Sequence, residues 1–310
     1  MKGIEISKLY WENFGKEMIK NQFPDIFDLI AVGLVGSGSE CYGYDDELSR
    51  DHDFEPGFCI FLPGEDIIDR HTEFMLERAY SSLPREFMGL CKNKENPAGG
   101  KRNGVFRTAD FYLALTGIPH EPQNWRDRLS VPDHAAFEAS DGKVFHDNLG
   151  DFSKIRSAWS NPPQDIRLKK LCGFLILMSQ TGEYNYNRCL MRGETDAAAL
   201  TAAEFVNACI SAALWVNGRP APYYKWKFRA LKDICGISDD SPLCSALKNI
   251  LSAANVKDNI SVACSEIISM IRKKPDLLPC RANDLQSIAI SLNEQIKDPD
   301  LRNLSLLAAV

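Results

Sequence analysis

Two carboxylates stand two residues apart in Arg50-Asp51-His52-Asp53-Phe54. In an extended chain alternate side chains share a face, so Asp51 and Asp53 would lie side by side while His52 and Phe54 point the other way. Two close anions repel unless a cation lies between them. Mg²⁺ suits that position: it prefers oxygen ligands, takes one or two carboxylates from a protein and completes its shell with water and phosphate oxygens. Upstream, Gly36-Ser37-Gly38-Ser39 offers the complementary half of a phosphate site. The glycines allow close approach of the backbone to a polyphosphate, and the Ser39 hydroxyl and neighbouring amides can donate to its oxygens. Alone, either fragment reads as a plain turn or a solvated strand edge. The order of apolar strand, Gly-Ser turn and acidic strand is what selects the phosphate reading.

The elements that must position these residues are legible around them. The apolar run 29–35 reads as a buried strand entering the glycine turn, and a second strand is expected over 51–62, before Pro63-Gly64. Ser7 is expected to cap a first helix whose apolar positions recur at helical spacing, and 65–82 has helical character. Residues 93–103 read as a loop, and 104–108 as a third strand leading into a helix that ends near Gly117. After about residue 151 the pattern becomes helical throughout, with helices expected at 166–180, 195–217, 223–234, 241–254, 261–273 and 283–297. The expectation is an α+β protein: a sheet domain over 1–150, then a helical bundle over 151–310 that closes on the nucleotide or substrate.

With 310 residues, 45% of them hydrophobic and 25% charged, the chain has the composition of a globular protein large enough for two cores. A net charge of −6 and a pI near 5.5 argue against extended nucleic-acid binding, which needs clustered Lys and Arg, but do not oppose a nucleotide carrying its own Mg²⁺. The N-terminal residues lack the apolar core of a signal peptide and the apolar run 171–178 is too short to cross a bilayer, so a cytoplasmic protein without membrane contact is expected. The ten cysteines contain no C-x-x-C pair and read as small buried hydrophobes in a reducing compartment.

Gly38-Ser39, eleven intervening residues, then Asp51-His52-Asp53 resembles the signature of the DNA polymerase β-like nucleotidyltransferase superfamily. Residues 38–53 as a whole resemble an uncharacterised bacterial family within it, as do Gly182-Glu183-Tyr184-Asn185-Tyr186-Asn187-Arg188 and Ala221-Pro222-Tyr223-Tyr224-Lys225-Trp226. That resemblance runs to about Leu231, and the layout is similar to that of the kanamycin and streptomycin nucleotidyltransferases. It implies a polymerase β-like sheet, one or two Mg²⁺ ions, and a nucleoside triphosphate, ATP by preference, whose α-phosphate is attacked in line by an acceptor hydroxyl as pyrophosphate leaves. It further implies that Gly38 and Ser39 hold the β and γ phosphates and that Asp51 and Asp53 are the catalytic metal ligands.

Several assignments stay open. A third carboxylate, as metal ligand or base, has candidates in Asp110, Glu55, Glu183, Glu194 and Glu204; Asp110 reads better as an early helix acid behind a Thr108 cap. Lys225, among aromatic residues, is a candidate to reach the triphosphate, weighed evenly against a lysine lying over a core helix. Arg188 and Arg192 read as surface groups, and His52 and His71 as structural. The acceptor is a small molecule by preference; a protein side chain, a tRNA end, and a nucleotide sensor without turnover are the alternatives. The helical half is also a candidate homodimer surface.

Overall fold

The computed structural model describes residues 1–50, 55–92, 102–277 and 282–310, the side chain of Arg50 excepted. Two compact units are present: Met1–Asp127 with Ala135–Ser160, and Arg128–His134 with Asn161–Val310. The first combines a small mixed sheet with helices; the second is helices and turns among its described residues. The expected α+β class, a sheet followed by helices, is the class observed.

The strands are β1 (Ala31–Val35), β2 (Cys59–Leu62), β3 (Glu86–Phe87), β4 (Leu90–Cys91), β5 (Gly104–Arg107) and β6 (Gly142–Asp147). The main sheet has the order β5-β2-β1-β6, with β2 parallel to β5 and β1 antiparallel to both of its neighbours. The helices of this part are α1 (Gly3–Tyr10), α2 (Lys16–Gln22), α3 (Arg70–Ser81), α4 (Thr108–Thr116), α5 (Trp125–Ser130), α6 (Asp133–Ser140) and α7 (Asp151–Ser160), of which α5 from Arg128 and α6 up to His134 count with the second unit. Every residue of β1 and β2 is buried, because both faces of the sheet are covered. Ile60 and Leu62 join Val32, Tyr10, Trp11, Ile19 and Leu76 in one core. By alternation Phe61 faces the other way, where Phe152 of α7 stacks on it with ring centroids 4.1 Å apart.

Three sequence expectations change here. Ser7 is not a cap: it lies inside α1, buried, and its hydroxyl donates to the Gly57 carbonyl at 2.6 Å. The start of α1 is held instead by Asp45, whose Oδ2 accepts from the Gly3 N–H at 2.9 Å, placing an acid where the helix dipole favours one. Thr108 is the first residue of α4 rather than its cap, and Asp110 sits exposed in the first turn. The expected strand over 51–62 is seen as β2 alone, residues 51–54 lying outside the described residues. β6 and the β3–β4 hairpin were not expected: β6 lies at the sheet margin and is only half buried, so its alternation is weak.

The β3–β4 hairpin turns through Met88 (φ 53°) and Gly89 (φ 78°). Two positive φ values in a two-residue loop suit Asn-Gly, whereas Met carries a Cβ penalty there and is 53% exposed. Met88→Asn is therefore expected to stabilise the first unit by about 0.5–1 kcal/mol, read as a raised urea midpoint. A midpoint lowered by the substitution would mean that the Met88 side chain contributes more than its backbone costs.

In the second unit the helices are α8 (Gln164–Met178), α9 (Tyr186–Met191), α10 (Thr195–Val216), α11 (Lys227–Cys235), α12 (Pro242–Leu251), α13 (Val256–Arg272), α14 (Leu285–Asn293) and α15 (Pro299–Asn303). A wider turn, Ser179–Asn185, joins α8 to α9. Within it a Cβ on Gly182 would stand 2.4 Å from the Phe205 ring, so this glycine of the sequence motif serves the packing against α10. At 22 residues α10, expected as the helix 195–217, is long and apolar enough to cross a membrane by length and composition alone. In this unit 61% of its most apolar window is buried, and Phe205, Cys209, Ala212 and Leu214 are fully so.

Candidate functional site

The chain leaves β1 through Gly36 and Gly38, whose φ values of +96° and +134° are ones that side chains other than glycine rarely adopt. A single helix-like turn follows. Cys41 N–H donates to the Gly38 carbonyl (3.1 Å), Gly43 N–H to Glu40 (3.3 Å) and Tyr44 N–H to Ser39 (2.8 Å). Among the described residues no backbone carbonyl accepts from the N–H of Ser39 or Glu40, which open this turn as the first amides of a helix do. Gly38 and Ser39 therefore stand at the end of the buried strand β1, as expected, with the Ser39 hydroxyl 3.5 Å from Glu40 Oε2. Asp51, His52 and Asp53 lie outside the described residues.

Two carboxylates that sequence reasoning did not single out organise the turn. Glu138 of α6 accepts from the Ser37 hydroxyl and from the Tyr42 hydroxyl, both at 2.8 Å, one on each oxygen. Burial, then the Glu138 carboxylate, raises the Tyr42 phenol well above its ordinary range, so it remains a donor. Glu40 takes Arg102 Nη2 on Oε1 at 2.6 Å. Burial raises the Glu40 carboxyl above its usual range, and Arg102 partly offsets that. Arg102 also donates to the Ser37 carbonyl at 3.1 Å.

Glu40 lines a small cleft with Ser7, Glu55, Gly57 and Asn103. Asn103 Nδ2 approaches Glu55 Oε1 at 3.3 Å, while Asn103 Oδ1 is buried without a hydrogen-bond partner. Of the third-acid candidates, Glu55 alone lines this cleft. Asp110, Glu183, Glu194 and Glu204 are all exposed, and β5 (Gly-Val-Phe-Arg) contains no acid. Arg107 in β5 is spent structurally: its guanidinium donates to Glu73 Oε2 (2.7 and 2.9 Å) and to the carbonyls of Pro63 (2.8 Å) and Ile68 (2.6 Å).

Lys225 is exposed in a short 3-10 turn of the second unit, with Nζ 5.1 Å from the Trp226 ring centroid. The lysine drawn into the helices is Lys227, two residues on, bonded to Asn207 Oδ1 (2.5 Å) and Ser211 Oγ (2.9 Å), and burial lowers its pKa. Arg188 and Arg192 are exposed; Arg188 reaches the Tyr184 hydroxyl at 2.5 Å. His71 is exposed on α3, and the nine described cysteines are free thiols. Among the described residues no group of three His, Cys, Asp or Glu side chains is placed to hold a metal ion.

Glu40, Arg102 and Glu138 were missed for separable reasons. Glu40 stood inside the motif but beside residues of clearer chemistry. Arg102 lay in a presumed loop, and Glu138 belongs to a helix whose apolar pattern is too short to stand out. The only local signal was Arg102-Asn103 directly before the third strand.

Residues 128–227 match the family model described as a domain of unknown function, DUF4037. No curated protein matches the chain. Among solved structures, the chain is similar to the crystal structure of a nucleotidyltransferase-like protein from Exiguobacterium sibiricum, at 11% identity and a TM-score of 0.37, over 84% of this chain and 75% of that one. A likeness of that size assigns no activity.

Proposed function

We propose that the first unit is a polymerase β-like catalytic domain that transfers a nucleoside monophosphate from a nucleoside triphosphate, ATP by preference, to an acceptor hydroxyl, by preference on a small molecule. The observation that supports this most is the turn after β1. It combines two positive-φ glycines with a guanidinium packed where a Gly38 side chain would be, and the sequence places Asp51-His52-Asp53 after eleven intervening residues beyond Ser39. A concave backbone with a cation laid on it suits a polyphosphate.

Gly38 and Ser39 would hold the β and γ phosphates, and Asp51 and Asp53 would hold Mg²⁺, which when bound neutralises phosphate charge. In the transfer the acceptor oxygen bonds to the α-phosphorus, the bond from that phosphorus to the bridging oxygen breaks, and pyrophosphate departs with the electron pair. The acceptor proton passes to a base, for which Glu55 is the best placed of the described candidates because it lines the cleft beside Glu40. The chain's own residues supply positioning and charge in this scheme.

A second reading, a nucleotide sensor without turnover, draws on the absence of an acid from β5. One titration separates the two: each nucleoside triphosphate with Mg²⁺, against the native chain and Asp51→Asn/Asp53→Asn, with pyrophosphate release followed in the presence of cell extract. Transfer predicts metal-dependent binding that the double substitution abolishes, together with pyrophosphate release and a labelled product. Binding without release under a full range of acceptors favours the sensor. Binding indifferent to the double substitution overturns both.

A further inference from the structure

Two arginines belong to the β5 region, Arg102 just before the strand and Arg107 at its end, and their surroundings differ. Arg107 is 8% exposed and its guanidinium is consumed by Glu73 and two carbonyls within the sheet unit. The Arg102 side chain is 32% exposed, and Nη2 lies across the turn after β1, donating to the Ser37 carbonyl at 3.1 Å and to Glu40 Oε1 at 2.6 Å. A Cβ on Gly38 would stand 2.1 Å from this nitrogen, so the guanidinium occupies the space left by the missing side chain. The Cys59 thiol reaches the Arg102 carbonyl at 3.3 Å, tethering the residue's backbone beside β2.

A carboxylate and a terminal phosphate offer a guanidinium the same thing: paired anionic oxygens at a spacing that suits its planar fork. Glu40 is only 14% exposed in its side chain and follows Ser39 directly, so its carboxylate stands where an incoming phosphate oxygen would meet Arg102. We propose that Arg102 is the residue that recognises the polyphosphate chain, and that Glu40 is its built-in competitor, an internal carboxylate that holds the guanidinium on the turn until polyphosphate displaces it. The ligand class rests on the nucleotidyl-transfer reading; the anion site itself rests on the geometry of Gly38, Glu40 and Arg102.

The test is a calorimetric titration of the full chain with inorganic tripolyphosphate, and separately with Mg²⁺ and a non-hydrolysable ATP analogue. Arg102→Gln is expected to weaken tripolyphosphate binding about 10–100-fold, the loss of a charge-assisted hydrogen-bonded contact, with Arg102→Lys in between. Glu40→Gln is expected to tighten binding several-fold, and the double variant to bind like Arg102→Gln. Tighter binding cannot come from a misfolded chain, and a double variant no tighter than Arg102→Gln separates competition for Arg102 from the mere loss of a nearby negative charge, which would tighten both backgrounds. Affinity unchanged or weakened in Glu40→Gln overturns the proposal, as does the failure of the native chain to bind tripolyphosphate. If tripolyphosphate binding follows Arg102 and Glu40 while no metal-dependent nucleotide binding or pyrophosphate release is found, the anion site stands and the transfer reading falls. Turnover unaffected by either substitution leaves transfer standing and removes this role for Arg102.

Discussion

Lys170→Met destabilises the second unit by roughly 3–5 kcal/mol, because it strands the buried carboxylate of Asp133. Lys170 Nζ lies 2.9 Å from Asp133 Oδ1, and the two side chains are 6% and 13% exposed. The other oxygen, Oδ2, accepts from Trp215 Nε1 at 2.7 Å and from the Ala221 N–H at 3.4 Å. One carboxylate thus joins α8, α10 and the proline-rich segment before Lys225, all within residues 128–227. Without that ammonium, its charge is left to two neutral donors and to the Lys227 ammonium, which interacts with it without an ion-pair contact. Pairing Lys170→Met with Asp133→Leu removes both charges, so the double variant should be more stable than Lys170→Met alone. It stays below the native chain, since Trp215 and Ala221 lose their acceptor. Hydrogen exchange of peptides from α8 and α10 reports this unit separately, which matters because a chain of two units need not unfold in one step. Equal protection in the single and double variants would mean that the carboxylate is not stranded.

Gly142→Ala is the corresponding break in the first unit. Its φ is +88°, and a Cβ there would stand 2.2 Å from the Leu34 carbonyl and 2.7 Å from Val35 Cα, neither of which can move without parting β1 from β6. Strained backbone and overpacking each cost about 1–3 kcal/mol, so the expected loss is about 2–6 kcal/mol. Gly33→Ala meets the Lys143 carbonyl at 2.5 Å across the same seam but at an ordinary φ, and should cost about 1–3 kcal/mol. Gly43→Ala, at φ +68° with nothing within 4 Å, isolates the backbone strain at about 1–2 kcal/mol. The ranking Gly142, Gly33, Gly43 is read from exchange protection over β1 and β2. A Gly142→Ala loss no larger than that of Gly43→Ala would remove the contact from the account.

Strand β1 and the glycine turn that follows it were legible in the sequence for one physical reason: each is specified locally. The run at 29–35 is apolar without a break because β1 is buried on both faces, and Gly36 and Gly38 mark the places where the chain needs positive φ. The long helices, 195–217 above all, are legible because their apolar content extends over several turns. The spacing from Gly38-Ser39 to Asp51 and Asp53 is likewise a property of the sequence, and the proposed chemistry begins from it. Only the tertiary structure could decide which polar groups meet. Arg102 is sixty-two residues from Glu40, Glu138 is 101 from Ser37, and Asp133 is 82 from Trp215. No periodicity encodes such pairs, since each depends on how separate elements pack. For the same reason Ser7, which has the residue type of a helix cap, became a buried donor to Gly57 once Asp45 held the helix end. Lys227, and not Lys225, became the lysine drawn into the helices, because two residues along a helical turn are enough to exchange a solvent-facing position for a partly buried one.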